Sequence, residues 1–315
     1  MPVPEASVWT DSAWRATADR WVDDQLARLE LEPTGEGERI HDRPWSTVIR
    51  VPTRGGAVFF KAVIPVLRHE AGLTELLGRR RPDCVPPPLA VNRDEGWLLL
   101  EDGGQTLRSI VEADRGIGRW RDVLALYASL QIDLAPDLPE LLELGVPDLR
   151  LAELPARFEA LLAAIGDRLP DNERRRLEAS LPWANAACEE LASAGIPETI
   201  QHDDLHDAQV FVRDGCYRLL DWGDACVSHP FFTLAVTLDG VIQWGADDVE
   251  ASEPTEVYRD AYLAPFRSLS AADLVDLSAT ARKLGWLCRA VNSRLSQPSV
   301  ESTRLRLRMY LDGRA

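Results

Sequence analysis

The sequence predicts an α+β fold in two lobes, a small mainly β N-terminal lobe and a larger mainly α C-terminal lobe. Three observations carry this. Runs rich in β-formers occupy residues 46–63 and 89–101, whereas residues 105 to about 200 read as helices and connectors, so the composition changes at 101–106. A lysine, Lys61, interrupts a strand that is otherwise apolar on both faces. Residues 201–224 then crowd carboxylates, two histidines and an amide onto a loop followed by a hairpin. Acids that dense beside apolar strands are costly to desolvate and need cations, protons or a metal nearby. The lobes are expected to divide at 102/103, and 315 residues suffice for both to bury a core.

The first element is a helix from about Thr10 to Leu31, capped by Thr10 or Asp11, with Trp14, Ala18, Trp21, Val22, Leu26 and Leu29 on one apolar face. Residues 33–46 read as a loop with a short strand at Arg39 and Ile40. Ser46–Val51 and Ala57–Val63 follow as strands joined by Pro52-Thr53-Arg54-Gly55-Gly56, a hairpin signal. In the second strand Lys61 shares a face with Ala57, Phe59 and Val63. A lysine there either snorkels from an edge or meets an anion. The next helix, about Leu67 to Gly78, favours the anion, because Glu70 lies beside its buried stripe of Leu73, Leu76 and Leu77 while Glu75 falls opposite. Lys61 and Glu70 are therefore expected to pair internally.

A basic, proline-rich connection (79–88) leads to the strands Leu89–Asn92 and Trp97–Glu101 and to a hinge at 101–106. Helices are expected near 106–113, 118–133, 150–166 and 171–194, punctuated by prolines that include Pro182. Beyond the acidic loop, Phe231–Trp244 reads as a buried helix, and helices near 270–296 and 300–312 end the chain. From Asp239 to Glu256 run six acids, Asp239, Asp247, Asp248, Glu250, Glu253 and Glu256, and no base.

A net charge of −16 argues against a nucleic-acid or anionic-membrane surface and favours cations as partners. Five cysteines, odd in number and without a C-x-x-C pair, suggest neither a disulfide framework nor a zinc site. With no signal-like N-terminus and no span-length apolar run, a soluble cytoplasmic protein is expected.

Four elements in order, Lys61, Glu70, His202-x-Asp204-x-x-x-x-Gln209 and Asp221-Trp222-Gly223, resemble the aminoglycoside phosphotransferase-type small-molecule kinases, choline-type kinases among them. The resemblance extends from about Gly35 to Arg294 and implies a bilobal protein-kinase-like fold. It implies an ATP- and Mg²⁺-dependent phosphotransferase acting on a small-molecule hydroxyl: an aminoglycoside, amino sugar, sugar or amino alcohol. Asp204 would accept or orient the hydroxyl proton, and His206, protonated, would face phosphate. Asp221 and Gln209 would ligate Mg²⁺, a hard cation that prefers oxygen. Lys61 with Glu70 would serve the nucleotide, adenine would sit near Glu101 to Gly103, and His202 would lock the loop by hydrogen bonds.

Several residues depart from that pattern. Gln209 stands for the usual asparagine. Asp203 replaces a common glycine and is expected to bind Arg213 or Arg218, with a cationic substrate as the other option. Ser228 to Thr233 replace a Gly-Asp-Pro run, and Asp224 is the better candidate for substrate contact. No G-x-G-x-x-G precedes Lys61; Arg43-Pro44-Trp45-Ser46 stands there, and Ser46 offers a hydroxyl and an N–H to phosphate. The rival reading is a nucleotide-binding pseudokinase without turnover.

Overall fold

Asp11 starts the first long helix: its carboxylate accepts from Trp14 N at 2.8 Å and caps α1 (Ser12–Arg28). The computed structural model describes residues 8–114, 116–243, 254–296 and 298–313. They fall into two compact units, one running to Gly104 and including Val212–Gly223, the other comprising Gln105–Phe211 and the chain from Asp224 onward.

The first unit is built on one antiparallel sheet of β1 (Glu38–Arg43), β2 (Ser46–Thr53), β3 (Gly56–Val63), β4 (Ala90–Asn92) and β5 (Trp97–Glu101), in the order β1-β2-β3-β5-β4. The segment expected to be mostly loop is thus a six-residue strand, β1, paired to β2. Alternation along β3 divides the core. Val58, Phe60 and Ala62 join Ala18, Val22, Leu26, Trp9 and Trp97 in a cluster under α1, where Trp97 meets Trp21 and Phe60 edge-on, each with centroids 5.7 Å apart, and Trp21 lies tilted against Phe60 at 5.8 Å. The opposite face of β3 carries Lys61. After β3 the chain turns through Pro65–Leu67 into α2 (His69–Arg80), whose Leu73, Leu76 and Leu77 are buried while Glu75 points out to Arg93 at 2.5 Å.

Residues 212–223 return to this unit, although a division at 102/103 would assign them to the helical lobe. Their backbone is stitched in: Leu219 N donates to Cys84 O at 2.8 Å, and Arg213 donates to Asp102 O at 2.6 Å. At Gly104 the backbone is left-handed (φ +94°), and a Cβ there would lie 2.3 Å from Val212 O, so only glycine allows this approach.

The second unit is helical: α3 (Leu107–Asp114), α4 (Trp120–Leu134), α5 (Leu138–Glu143), α6 (Leu154–Ile165), α7 (Asp171–Ser193), α8 (Thr255–Leu263), α9 (Ala271–Asn292) and α10 (Val300–Asp312). The prolines act at helix starts more than as breaks: Pro139 and Pro155 sit in the first turns of α5 and α6. Pro182 does not interrupt α7, a helix of 23 residues that runs through it. The helix expected over 231–244 is instead a 3₁₀ turn, Pro230–Thr233, followed by π-helical Ala235–Gln243; Trp244 lies outside the described residues. Trp120 Nε1 donates to the Thr237 carbonyl at 3.0 Å, a side chain intruding on the backbone ladder where the helix widens. Among the described residues no helix is long and apolar enough to cross a membrane.

α9 is the spine of this unit. Its Gly285 lies against the turn at Phe232, where a Cβ would meet Phe232 O at 2.4 Å and the Ala235 Cβ at 2.9 Å. Gly285→Ala gains about 1 kcal/mol of helix propensity but forces backbone apart at a cost of about 1–3 kcal/mol. A net loss of stability is expected, read as a lower urea midpoint with an unchanged m-value.

Candidate active site

In the first unit, β3 is an interior strand, with Lys61 opposite Val48 on one side and Leu98 on the other, so its side chain has no sheet edge from which to snorkel. Its ammonium is met by two acids instead: Nζ lies 2.5 Å from Glu70 Oε1 and 2.5 Å from Asp221 Oδ1. Glu70 stands in the first turn of α2, where the helix dipole favours a carboxylate. Burial works to strip the proton from Lys61, and the Asp221 and Glu70 carboxylates outweigh it, holding the pKa above the ordinary lysine range. Burial also pushes the neighbouring His69 down to about 4, so that it stays neutral beside Glu70 at physiological pH.

Asp221 comes to this place by an unusual backbone. Its φ is +68°, and Trp222 behind it is fully buried, with Nε1 donating to Leu219 O at 3.2 Å. The left-handed turn aims the carboxylate at Lys61 while leaving the side chain 47% exposed. Gly223 follows with no side chain, and a Cβ there would stand 3.1 Å from Glu70 Oε2. The Lys61–Glu70–Asp221 trio holds oxygen donors and no thiolate, and the exposed Asp221 carboxylate fits a hard divalent cation. Ser46 opens β2 and is 6% exposed, paired in register with Arg43 across the turn Pro44–Trp45. Glu101 ends β5 on the surface, 3.5 Å from Arg213, and Gly103 lies two residues on.

In the second unit, Thr199–Gln201 pairs antiparallel with Cys226–Ser228 and supports the loop that follows Gln201. α4 props this pair from behind: Gln131 Nε2 donates to Ile200 O at 2.9 Å, and Tyr127 OH accepts from the His202 N–H at 2.7 Å. His202 is fully buried there. Asp203 takes a left-handed backbone (φ +62°) and turns inward, and Asp204 is left partly exposed.

Both acids meet α9. Arg289 donates to Asp204 Oδ1 and to the Asp203 carbonyl, with its Nη1 3.9 Å from Asp203 Oδ2. Asn292, one turn on, donates to Asp203 Oδ2 at 2.9 Å and to Asp224 O at 2.6 Å. The arginine expected for Asp203 is therefore Arg289, and neither Arg213 nor Arg218. Arg213 is spent on Asp102 and Glu101, and Asp203 points into the core, where α9 supplies Arg289 and Asn292. Burial pushes Asp203 up to about 7 despite Arg289 and Asn292.

His206 Nδ1 accepts from Ala208 N at 3.1 Å, and Nε2 is 3.9 Å from Asp204 Oδ2. Asp207, buried beside it, pairs with Arg108 at 2.6 Å; burial raises its pKa, but His206 and Arg108 more than reverse this. Gln209 closes the loop through its N–H to His206 O at 2.9 Å. Asp224 accepts from the Ser296 hydroxyl at 2.9 Å, in the turn that follows α9.

The structure thus joins Lys61, Glu70 and Asp221 in one unit, and Asp203, Asp204, His202 and His206 in the other. Arg289, Asn292, Arg108 and Asp207 were missed in the sequence. A signal existed for Arg289, which sits in the apolar run Leu284 to Val291 much as Lys61 sits in its strand. Of the acidic run, Asp239 is buried and bound by Trp286 Nε1 and Arg282, each at 2.7 Å. Asp247, Asp248, Glu250 and Glu253 lie outside the described residues.

A carboxyl whose folded pKa exceeds its unfolded value holds its proton more tightly when folded. Asp203 should therefore make stability fall as pH rises from about 4 to about 7, by up to ~1.4 kcal/mol per pH unit. Asp203→Asn is expected to flatten that slope in urea titrations at pH 4.5, 6 and 7.5; an unaltered slope assigns it to another group.

No curated protein matches the sequence. Among solved structures, the macrolide 2′-phosphotransferase MphH from Brachybacterium faecium, as apoenzyme, superposes with a TM-score of 0.56 at 19% identity, covering 94% of this chain and 99% of that one. A choline/ethanolamine kinase family protein from Mesorhizobium loti gives 0.60 at 14% identity, covering 93% and 92%. The GDP and kanamycin complex of the aminoglycoside phosphotransferase APH(2″)-IIIa gives 0.57 at 12% identity, covering 94% and 99%. The fold is therefore that of protein-kinase-like small-molecule kinases. The sequence model of the phosphotransferase enzyme family matches residues 38–271, three-quarters of the chain and every motif residue above, and the chain belongs to that family.

Proposed function

We propose that the chain transfers the γ-phosphate of ATP, with Mg²⁺, to a hydroxyl group of a small molecule. The observation that carries this reading is the ammonium of Lys61, shared at 2.5 Å between Glu70 and Asp221, residues from a strand, a helix and a distant turn. A loose phosphoryl-transfer transition state needs little beyond positioned charge and an aligned acceptor, and this trio supplies positioned charge.

In this reading Lys61, fixed by Glu70, binds phosphate oxygens of the nucleotide. Asp221 and Gln209 would hold Mg²⁺, which supplies neutralisation of charge on the transferring phosphate. Ser46, with its N–H, faces phosphate from the β1–β2 turn, and Glu101 to Gly103 border the adenine. Asp204 orients the acceptor hydroxyl and takes its proton as the new O–P bond forms and the bond to the ADP oxygen breaks. Arg289 serves as a positioning residue: it holds Oδ1 of Asp204 and leaves Oδ2 on the side of His206. Because deprotonation runs late in such a transition state, orientation by Arg289 matters more here than a strong base.

Asp204→Asn is expected to lower kcat by about 10²–10⁴-fold while thermal stabilisation by ATP with Mg²⁺ stays as in the parent. The assay is mass-shift detection of phosphorylated products over aminoglycosides, amino sugars, sugars and amino alcohols. Stabilisation by nucleotide without any product, and background hydrolysis that Asp204→Asn leaves unchanged, would instead identify a pseudokinase. Asp221→Asn is expected to abolish the Mg²⁺-dependent part of nucleotide stabilisation; its persistence would remove Asp221 from the metal. Running both experiments with GTP beside ATP tells which nucleotide is used.

A further inference from the structure

The second unit carries a cleft of about 290 Å³ at Asp204, at the small end of ligand pockets, which run ~300–1,000 Å³. Four residues of α10 line it, Ser302, Leu305, Arg306 and Met309, spaced as one stripe of a helix. Arg108, His206 and Arg289 complete the polar wall, and Val236 and Trp286 extend the apolar one.

The three guanidiniums in this wall are not equivalent. Arg108 is neutralised by Asp207 at 2.6 Å, and Arg289 by Asp204. Arg306 hydrogen-bonds the Ser302 carbonyl at 3.2 Å, one turn back, and among the described residues no carboxylate stands at ion-pair distance from it. Three acids attract it from farther away, and two of these are otherwise engaged: Asp203 by Asn292 and Asp224 by Ser296. The third, Asp204, is held by Arg289. Burial and repulsion by Arg289 outweigh that attraction and push Arg306 below the ordinary arginine value. Arginine stays protonated in proteins, so a half-buried guanidinium with donors to spare calls for an anion, and a carboxylate or phosphate fits its planar fork.

We infer that Arg306 sets the acceptor specificity of this site, and that the acceptor is a small hydroxyl compound carrying an anionic group, carboxylate or phosphate. That group pairs with Arg306, the carbon skeleton lies along Leu305, Met309 and Trp286, and the hydroxyl reaches Asp204. The inference rests on the phosphotransferase reading of Asp204. It disfavours a polycationic acceptor, whose ammonium groups would meet a wall already holding three guanidiniums, and it disfavours an acceptor of macrolide size.

The test is calorimetric binding to the full chain, without nucleotide, of matched sets: glucose, glucosamine, glucuronate and glucose 6-phosphate; glycerol, ethanolamine, glycerate and glycerol 3-phosphate; and kanamycin. An anionic member is expected to bind about 10- to 100-fold tighter than its neutral partner, as a charge-assisted contact provides, and the amines no better than the neutral compounds. The carboxylate and phosphate arms tell which anion is read. Arg306→Ala should erase the anionic advantage, Arg306→Lys should keep part of it, and neutral compounds should be unaffected; in turnover the loss falls on KM and spares kcat. Ser302→Asp, which places a carboxylate beside Arg306 without removing a native cation, should erase it too and serves if Arg306→Ala fails to fold. The inference is overturned if no anionic member binds, if amines bind as tightly, or if the advantage survives both variants. Anion-selective binding that follows Arg306 with no phosphoryl transfer supports the anion site and counts against the phosphotransferase reading. Phosphorylation of kanamycin does the reverse.

Discussion

A cation that cannot reach water must be met by carboxylates, and in each unit one such cation organises the surrounding chain. Lys61 is 8% exposed on an interior strand, and Arg289 is 8% exposed on a helix whose neighbours are apolar. Breaking a buried ion pair by removing one partner costs about 3–5 kcal/mol, because the survivor stays unpaired. The partners are therefore obligatory: Glu70 and Asp221 for Lys61, Asp204 and Asp203 for Arg289. In each case one partner is buried and the other, Asp221 or Asp204, keeps part of its surface in solvent. A buried acid stabilises the cation, and the exposed acid is the one available for chemistry.

The backbone is bent to make this division possible. Asp203 and Asp221 both adopt left-handed conformations that β-branched or bulky residues rarely enter. Each turn sends consecutive side chains in different directions. At 203–204 it separates an inward acid from an outward one, and at 221–222 it puts a carboxylate outside while Trp222 fills the core. Aspartate tolerates this conformation better than most residues, so the same side chain supplies both the turn and the charge. The common glycine that Asp203 replaces would make the turn more cheaply but would leave Arg289 and Asn292 without this carboxylate.

Local charge in the cleft runs against the charge of the whole. A chain with net charge −16 suggests cationic partners, and its acidic run after Asp239 reinforces that expectation. Yet the wall beside Asp204 holds Arg108, Arg289 and Arg306, and the first acid of the run, Asp239, is buried against Trp286 and Arg282. Field at a cleft depends on which charges face it and on how they are already paired, and net charge averages over both.

How much of this could be read in the amino-acid order follows from the range of each interaction. The cap of α1, the β2–β3 hairpin, the apolar stripes of α1 and α2, and the pairing of Lys61 with Glu70 nine residues later all depend on near neighbours, whose periodicity is visible in the chain. The spaced motif residues Asp204, Gln209 and Asp221 were visible too, because their order and spacing resemble those of the family whose model the chain matches. The π-helical turn at Ala235–Gln243 and the return of residues 212–223 to the first unit were not, since each involves a distant partner: Trp120 for the first, Cys84 and Asp102 for the second. The partner of Asp203 shows the limit most sharply. Sequence alone determined that acids so dense around Asp204 need cations, protons or a metal nearby; only the tertiary structure decided that Asp203 turns inward to Arg289, 86 residues on, and that Arg306 is left facing the cleft, because charge demand is a local property and its satisfaction is a matter of which helices pack together.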